Sequence, residues 1–307
     1  MLTGIIGMGS IGRRHARNLL EMGHAVCYFD PNVPHVGDIG EHGLISATDA
    51  EILRDTVDAI VICSPTREHC AEILEAPKHV PLFVEKPIGA MWVDLDYLKF
   101  DVPQHKLVMM GNNCRYHPCV QEAKRLLPEI GTVLGCEFTV AQYNEKYTDS
   151  VILNWGAHEV DLALYLLGGG AKVIDCDLSK NENGIIERAA IFMRHENGAH
   201  GDIFMDYTTK PQERYFSING QKGHIHADLE EFIVEIQIRD GVEKISLPGS
   251  FDQTYKDEMA EFIRRIEGQS DGIGATGEDG LHCLELLLQA QDMGLWNLSH
   301  IGEPASP

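Results

Sequence analysis

Apolar and polar positions alternate in blocks through the first third of the chain. Short apolar runs, "LTGII" (2–6), "HAVCYF" (24–29), "AIVIC" (59–63), "VPLFV" (80–84) and "KLVMMG" (106–111), are separated by stretches with helical spacing. Buried strands alternating with helices predict a parallel, doubly wound α/β sheet. After "RYHP" (115–118) the rhythm changes. One helix over about 118–127 leads into the long β-type segment "GTVLGCEFTVAQY" (131–143). A helical stretch ending in "LYLLGGG" follows, then a series of extended runs from "KVIDCDLS" to "EFIVEIQI". The turns "NENG", "HENG", "NGQKG" and "RDG" between them are antiparallel meander chemistry. Two closing helices, "YKDEMAEFIRRIEG" and "GEDGLHCLELLLQAQDMGLWNL", precede a tail, "GEPASP", expected to fray. The pattern therefore predicts an α/β domain over 1–115. An α+β domain over 116–307 follows, with a large, open, mainly antiparallel sheet, and its last helix is free to pack back on the first domain.

Composition narrows the partners. The 307 residues are 44% hydrophobic, ample for a large core, and carry a formal charge of −22. That surface repels phosphate backbones and anionic headgroups, which argues against nucleic acid and membranes. It leaves room for an anionic small ligand held by backbone amides or a local cation. No apolar run approaches the ~18 residues of a spanning helix, and the start lacks the basic and apolar regions of a signal peptide. The eight cysteines are scattered, without a CxxC pair, and read as thiols in a reducing compartment. The cytoplasm is the expected location.

The first apolar run opens directly into Gly7-x-Gly9-x-x-Gly12, followed by a helical pattern and a second strand that stops at Asp30. Strand, glycine turn, helix, strand and acid is the dinucleotide-binding (Rossmann) order. Gly7 allows the tight turn, Gly9 the approach of a pyrophosphate, and Gly12 close helix–strand packing. The helix N-terminus through Ser10 and Ile11 supplies amides and a partial positive charge. Asp30 is placed to accept hydrogen bonds from ribose hydroxyls. Its carboxylate favours NAD over NADP, although Arg13 and Arg14 are close enough in sequence to reach a phosphate. In such sheets ligands bind beyond the carboxyl ends of the strands. Ser64-Pro65, Lys86 and Asn112-Asn113 fall at those ends.

A second stretch bears chemistry. "LNWGAHEVD" (153–161) puts an amide, an imidazole and a carboxylate at Asn154, His158 and Asp161. Spacings of four and three bring all three to one helix face. Alone, such a stripe is a solvated surface or a catalytic one. A metal reading fails for this stretch, because Glu159 points away from His158 and the second histidine of HExxH is missing. No metal is expected.

Taken together, "GMGSIGRRHARNL", Asp30, "CSPTREHCAEILEA", "VEKPIG", "GNNCRYHP" and "GAHEVDLALYLLG" resemble the Gfo/Idh/MocA oxidoreductases, which include glucose–fructose oxidoreductase and inositol dehydrogenase. The likeness runs from Leu2 to about Gly168. It implies NAD(P)-linked hydride transfer between nicotinamide and a secondary hydroxyl or ketone of a sugar, cyclitol or sugar-nucleotide, and a homodimer or homotetramer built through the C-terminal sheet. It implies His158 as acid/base, Lys86 polarising the reacting oxygen and Asp161 orienting His158. Pro87 follows a bond that is often cis in the family. Cofactor contacts fall to Gly7, Gly9, Ser10, Ile11, Gly12, Asp30, Ser64, Pro65, His69, Glu85, Lys86 and Asn113, with His69 open to a purely structural role. Substrate contacts fall to Lys86, Asn113, Arg115, Asn154 and His158, with Arg115 equally suited to a structural ion pair and His117 in the same segment.

The chain departs from the family in two places. Many members carry an aspartate four residues before the catalytic histidine, where this chain has Asn154, which cannot take up a proton near neutrality. The segment "NEKYTDSVIL" (144–153) is also short and lacks the usual glycine run. Two alternatives stay open: a nucleotide-binding regulatory or scaffolding protein that has lost turnover, and glycosidase-type chemistry using NAD transiently. Specificity is expected from loops carrying Tyr143, Tyr147, Tyr207 and Arg214.

Overall fold

Strand β1 (Leu2–Ile6) forms because its residues are apolar and buried almost throughout, the pattern of a central parallel strand. It enters a computed structural model that describes residues 1–33, 44–143, 147–239 and 241–300. The tail 302–307 and the first residues of the 144–153 segment lie outside the described residues. Helix α1 (Ser10–Glu21) follows, then β2 (Ala25–Phe29), β3 (Leu44–Ser46), α2 (Ala50–Thr56), β4 (Ala59–Ile62), α3 (Thr66–Glu75), β5 (Leu82–Glu85), α4 (Trp92–Asp101) and β6 (Val108–Gly111). The predicted strand–helix alternation is present. Hydrophobic periodicity does not announce β3 or α2: β3 is three residues long, and α2 is signalled only by Asp49, whose side chain caps it by accepting from the Ile52 amide.

The chain divides into two compact units. The first comprises Met1–Tyr116 and Ser250–Leu284; the second comprises His117–Gly249 and the chain from Glu285 onward. The sequence expectation places 116–307 in the second domain, with the last helix free to pack back on the first; here α8 and the start of α9 belong to the first unit. Packing explains the difference. Met259, Phe262 and Ile263 share one apolar core with Ile5, Leu19, Val61 and Phe83, and the Phe83 and Phe262 rings meet edge to face at 5.6 Å.

Strand order in the first unit is β15-β6-β5-β4-β1-β2-β3, parallel except for β15 (Ala275–Thr276), which pairs antiparallel with β6. Order reverses beside β1, so the carboxyl ends of β5, β4, β1 and β2 stand next to one another. That reversal is where ligands enter open α/β sheets.

The second unit begins with α5 (Pro118–Leu126), β7 (Val133–Ala141), α6 (Val151–Asn154) and α7 (Gly156–Leu167). It continues through β8 (Ala171–Lys180), β9 (Ile186–His195), β10 (His200–Asp206), β11 (Glu213–Gly220), β12 (Gly223–Asp228), β13 (Ile233–Ile238) and β14 (Gly241–Ser246). These strands form an eight-stranded sheet in the order β14-β13-β12-β11-β7-β10-β9-β8, antiparallel except where β10 runs parallel to β7. Alternation sends Phe138, Phe216, Ile203 and Met205 to a buried face. The edge strand β14 escaped the sequence reading because it is mostly exposed and carries no core face. Helices α8 (Phe251–Ile266) and α9 (Gly277–Ser299) close the chain as predicted; α9 passes from the first unit into the second after Leu284. Among the described residues no helix is long and apolar enough to cross a membrane.

Candidate active site

The glycine turn between β1 and α1 meets the demands that its spacing predicts. Gly7 has φ +92°, and a Cβ there would lie 2.5 Å from the Ser64 amide nitrogen. A Cβ on Gly12 would lie 2.0 Å from the Gly7 carbonyl oxygen, so helix and turn touch backbone to backbone. Gly9 differs: a Cβ there meets nothing within 4 Å. The open side of the turn thus lies at Gly9, over the N-terminus of α1, where unpaired amides and the helix dipole attract an anion. These residues fit a dinucleotide pyrophosphate.

Asp30, just past β2, accepts from the Met8 amide at 2.7 Å and from the Asn32 amide at 2.8 Å. It ties the second strand's end to the glycine turn. Arg13 donates to the Met8 carbonyl at 3.0 Å. Arg14 lies over the Tyr255 ring, 4.4 Å from its centroid, and pairs with Asp252 at 3.3 Å. Both arginines are thus engaged with the protein.

Past β4, the Ser64 hydroxyl donates to Glu72 at 2.5 Å. His69 is buried between two strand ends, with Nε2 2.9 Å from the Ser64 carbonyl and Nδ1 2.8 Å from the Pro87 carbonyl. Burial lowers its pKa, against the two carbonyls, which raise it; the neutral ring has one N–H and donates to one carbonyl at a time, while the imidazolium would bond the Ser64-Pro65 loop and the Lys86-Pro87 turn together. The Lys86–Pro87 bond is cis. Lys86 is half-buried, and Pro87, Ile88 and Gly89 behind it are buried. Glu85 pairs with His15 at 2.8 Å. The Asn113 amide donates to Thr254 at 2.8 Å, and Arg115 lies 3.3 Å from both Asp279 and the Ile273 carbonyl. Arg115 thus has the ion pair that was its structural alternative. The structure brings Gly7, Gly9, Gly12, Asp30, Ser64, Pro65, Glu85, Lys86 and Asn113 to one edge of one sheet.

In the second unit, "LNWGAHEVD" spans α6, Trp155 and the start of α7. Ser150 caps α6, and the His158 and Glu159 amides both bond to the Trp155 carbonyl, so the two short helices follow closely. A solvated face is excluded: Asp161 is 1% exposed and Glu159 is buried too, while His158 is half-buried. Glu159 does not point to solvent. Its Oε1 takes Arg214 Nη2 at 2.6 Å and Nε at 3.0 Å, a buried pair that spacing alone could not reveal. The Asn154 amide donates to the Tyr207 hydroxyl at 2.7 Å. Tyr207 stacks on Tyr147 with ring centres 4.5 Å apart and meets Trp155 edge-on at 4.8 Å. Burial, against the Asn154 hydrogen bond, pushes the Tyr207 phenol up to about 12. A cavity of about 670 Å³ opens beside these rings, lined by Tyr143, Tyr147, Asn181, Glu187 and Tyr207 among others, but not by His158 or Asp161. His117, at the unit's first residue, is buried and caps α5 by accepting from the Cys119 amide; burial and the Arg214 charge lower its pKa to about 4.

Comparison with known proteins agrees with this architecture. The model of the GFO/IDH/MocA oxidoreductase family, with an NAD-binding Rossmann fold, matches residues 1–111, and that of the GFO/IDH/MocA C-terminal domain matches 120–226. An uncharacterized oxidoreductase of Bacillus subtilis, YrbE, is 28% identical, covering 95% of this chain and 93% of its own. Myo-inositol 2-dehydrogenase of Thermotoga maritima is 25% identical over 93% of this chain and 94% of its own. The solved structure of levoglucosan dehydrogenase in complex with NADH superposes with a TM-score of 0.86 at 19% identity, covering 96% of this chain and 97% of that one.

Three variants check the site. Gly12→Ala forces a backbone contact apart and is expected to cost about 3 kcal/mol in urea unfolding. Gly9→Ala changes stability by less than about 0.5 kcal/mol but weakens NAD binding, and unchanged NAD affinity would contradict the cradle. Burial raises Glu72 from 4.5 to about 7, outweighing the Ser64 bond and Arg54, which lower it. A carboxyl raised by folding binds its proton more tightly in the folded chain. Its contribution to stability is therefore full below about pH 4.5 and is lost as pH rises through 7. Glu72→Gln should leave stability little changed at pH 5 and raise it by roughly 1–2 kcal/mol at pH 8, allowing for the group's partial exposure. Equal effects at both pH values would refute this.

Proposed function

We propose that this chain, which belongs to the GFO/IDH/MocA oxidoreductase family, is an NAD-dependent dehydrogenase acting on a secondary hydroxyl of a sugar, cyclitol or sugar-nucleotide. The observation that carries the reading is the glycine turn open at Gly9, with Asp30 at the end of β2 on one side of β1 and Lys86 at the end of β5, two strands away on the other. Myo-inositol 2-dehydrogenase among the relatives supports the substrate class.

Bound NAD supplies the hydride acceptor. The chain's residues do the rest. The amides of Ser10, Ile11 and Gly12 at the start of α1 hold pyrophosphate, approached through Gly9, and Asp30 accepts from ribose while its charge disfavours a 2′-phosphate. Ser64, Pro65 and Glu85 shape the cofactor's surroundings, and Asn113 borders both cofactor and substrate. Lys86 holds the reacting oxygen through its ammonium as negative charge develops there. His158 takes the hydroxyl proton in oxidation and returns it in reduction. Asp161, one turn on along α7, orients the imidazole. Asn154 accepts from a substrate hydroxyl through its amide oxygen while its nitrogen holds Tyr207, and Arg115 keeps the structural role that its pair with Asp279 gives it. The second face of the eight-stranded sheet, bearing Phe192, Phe204 and Tyr215 at alternate positions, packs against another copy in a dimer or tetramer. The eight thiols suit the cytoplasm.

Purified protein, NAD and a panel of inositols, hexoses and sugar-nucleotides should give the absorbance of reduced cofactor. His158→Ala is expected to lower kcat by about 10²–10⁴-fold and Lys86→Ala by about 10²–10³-fold, with NAD binding retained in both. Absence of reduced cofactor across the panel, with NAD bound tightly, would sink the dehydrogenase reading.

A further inference from the structure

Helix α8 buries two glutamates three residues apart, and the protein treats them in opposite ways. Glu261 and Glu258 are both 0% exposed. Glu261 is saturated: Arg264, Arg265, the Ser270 hydroxyl and the Asp271 amide all donate to its carboxylate. Neither oxygen of Glu258 has a hydrogen-bond partner among the described residues. Sequence spacing offers no hint of the difference.

Glu258 faces two other donors from separate walls of the first unit. His15 comes from α1 and Glu85 from the end of β5. One donor atom from each of His15, Glu85 and Glu258 lies within 4.8 Å of the other two. His15 is as deeply buried as Glu258, and Glu85 is 9% exposed. His15 Nε2 sits 2.8 Å from Glu85 Oε1, while the other ring nitrogen has no hydrogen-bond partner among the described residues. The Arg14 guanidinium, on the same helix as His15, is turned to Tyr255 and Asp252.

Charge and donor number decide what this cluster suits. A proton on Glu258 removes its charge but leaves a hydroxyl and a carbonyl unbonded in the core, which is costly. A divalent cation answers both needs. Two carboxylates neutralise it, a neutral imidazole adds a third ligand, and the buried cluster carries no net charge. Two donors on opposite sides of a metal at ~2.1 Å lie ~4.2 Å apart and adjacent ones closer, so a pair at the 4.8 Å limit closes by about 0.6 Å or more to seat the ion. One nitrogen with two carboxylate oxygens favours Mn²⁺ or Zn²⁺ over Ca²⁺ or Mg²⁺. We propose that His15, Glu85 and Glu258 bind one divalent first-row transition-metal ion, a structural site that fastens α1, β5 and α8 together directly behind Lys86. The site does not depend on which alcohol the chain oxidises.

The test uses the full chain stripped with a chelator and titrated with Mn²⁺, a probe chosen because the eight thiols could capture Zn²⁺. Calorimetry should show one ion per chain, and Tm should rise by about 5 °C at a hundredfold excess over Kd. Glu258→Gln should abolish both effects while leaving NAD binding intact. Pulsed electron paramagnetic resonance of the Mn²⁺-loaded wild type should show coupling to one imidazole nitrogen, a readout that holds even if the variant fails to fold. No bound ion, equal binding by Glu258→Gln, or a Mn²⁺ signal without nitrogen coupling would overturn the proposal and leave Glu258 as a buried protonated acid.

Discussion

Three pieces of backbone must meet at the end of β1, and the first unit depends on that meeting. Gly7 turns against the Ser64 amide, and Gly12 rests on the Gly7 carbonyl. Any side chain at either position pushes α1 away from the sheet or β4's loop away from β1. The close approach sets where the amides of α1 point and brings Asp30 within reach of the Met8 amide. His69 then stands within hydrogen-bond distance of both the Ser64 loop and the Lys86 turn. Each link is short and made largely of backbone, so the strand ends form a pre-set edge rather than a flexible rim. A site built this way needs little reordering when a cofactor arrives, which is where binding usually loses free energy.

Much of the site was legible because its parts are local. The glycine spacing, the acid at the end of β2 and "VEKP" at the end of β5 each declare themselves within a few residues. The helical stripe of Asn154, His158 and Asp161 was legible as a pattern but ambiguous as chemistry; burial of Asp161 removed the solvated alternative. The hidden features are long-range pairs. Glu159 looks like a solvent residue until Arg214, far along the chain, reaches it. Glu258 reads as the polar side of an amphipathic helix, yet α8 presents Glu258, Glu261, Met259 and Phe262 alike to the interior. Periodicity reports which residues share a face, not whether that face meets water.

The same physics explains why α8 belongs to the first unit. A reading that follows the chain assigns a late helix to the late domain. The apolar triad Met259, Phe262 and Ile263 belongs instead with Ile5 and Phe83, because one hydrophobic core is completed by whichever helix covers it. Two buried glutamates on that helix are the cost of using it, and Glu261 shows how such a cost is met: four donors surround it.

Asn154 is the residue where this chain leaves its family's habit, and its surroundings give the amide a purpose. It donates to the Tyr207 hydroxyl, whose ring is held between Tyr147 and Trp155. A carboxylate there would reverse the bond, accept the phenol's proton and bring a charge to three packed rings. The amide keeps the group neutral, and burial holds the phenol protonated. Neither partner can therefore exchange a proton near neutral pH. In the proposed reaction Asn154 carries no proton, which leaves that task to His158, and its amide nitrogen also anchors the aromatic wall beside the Tyr143 and Tyr147 cavity. The proposed chemistry then rests on the His158 imidazole, with Asn154 outside the proton's path.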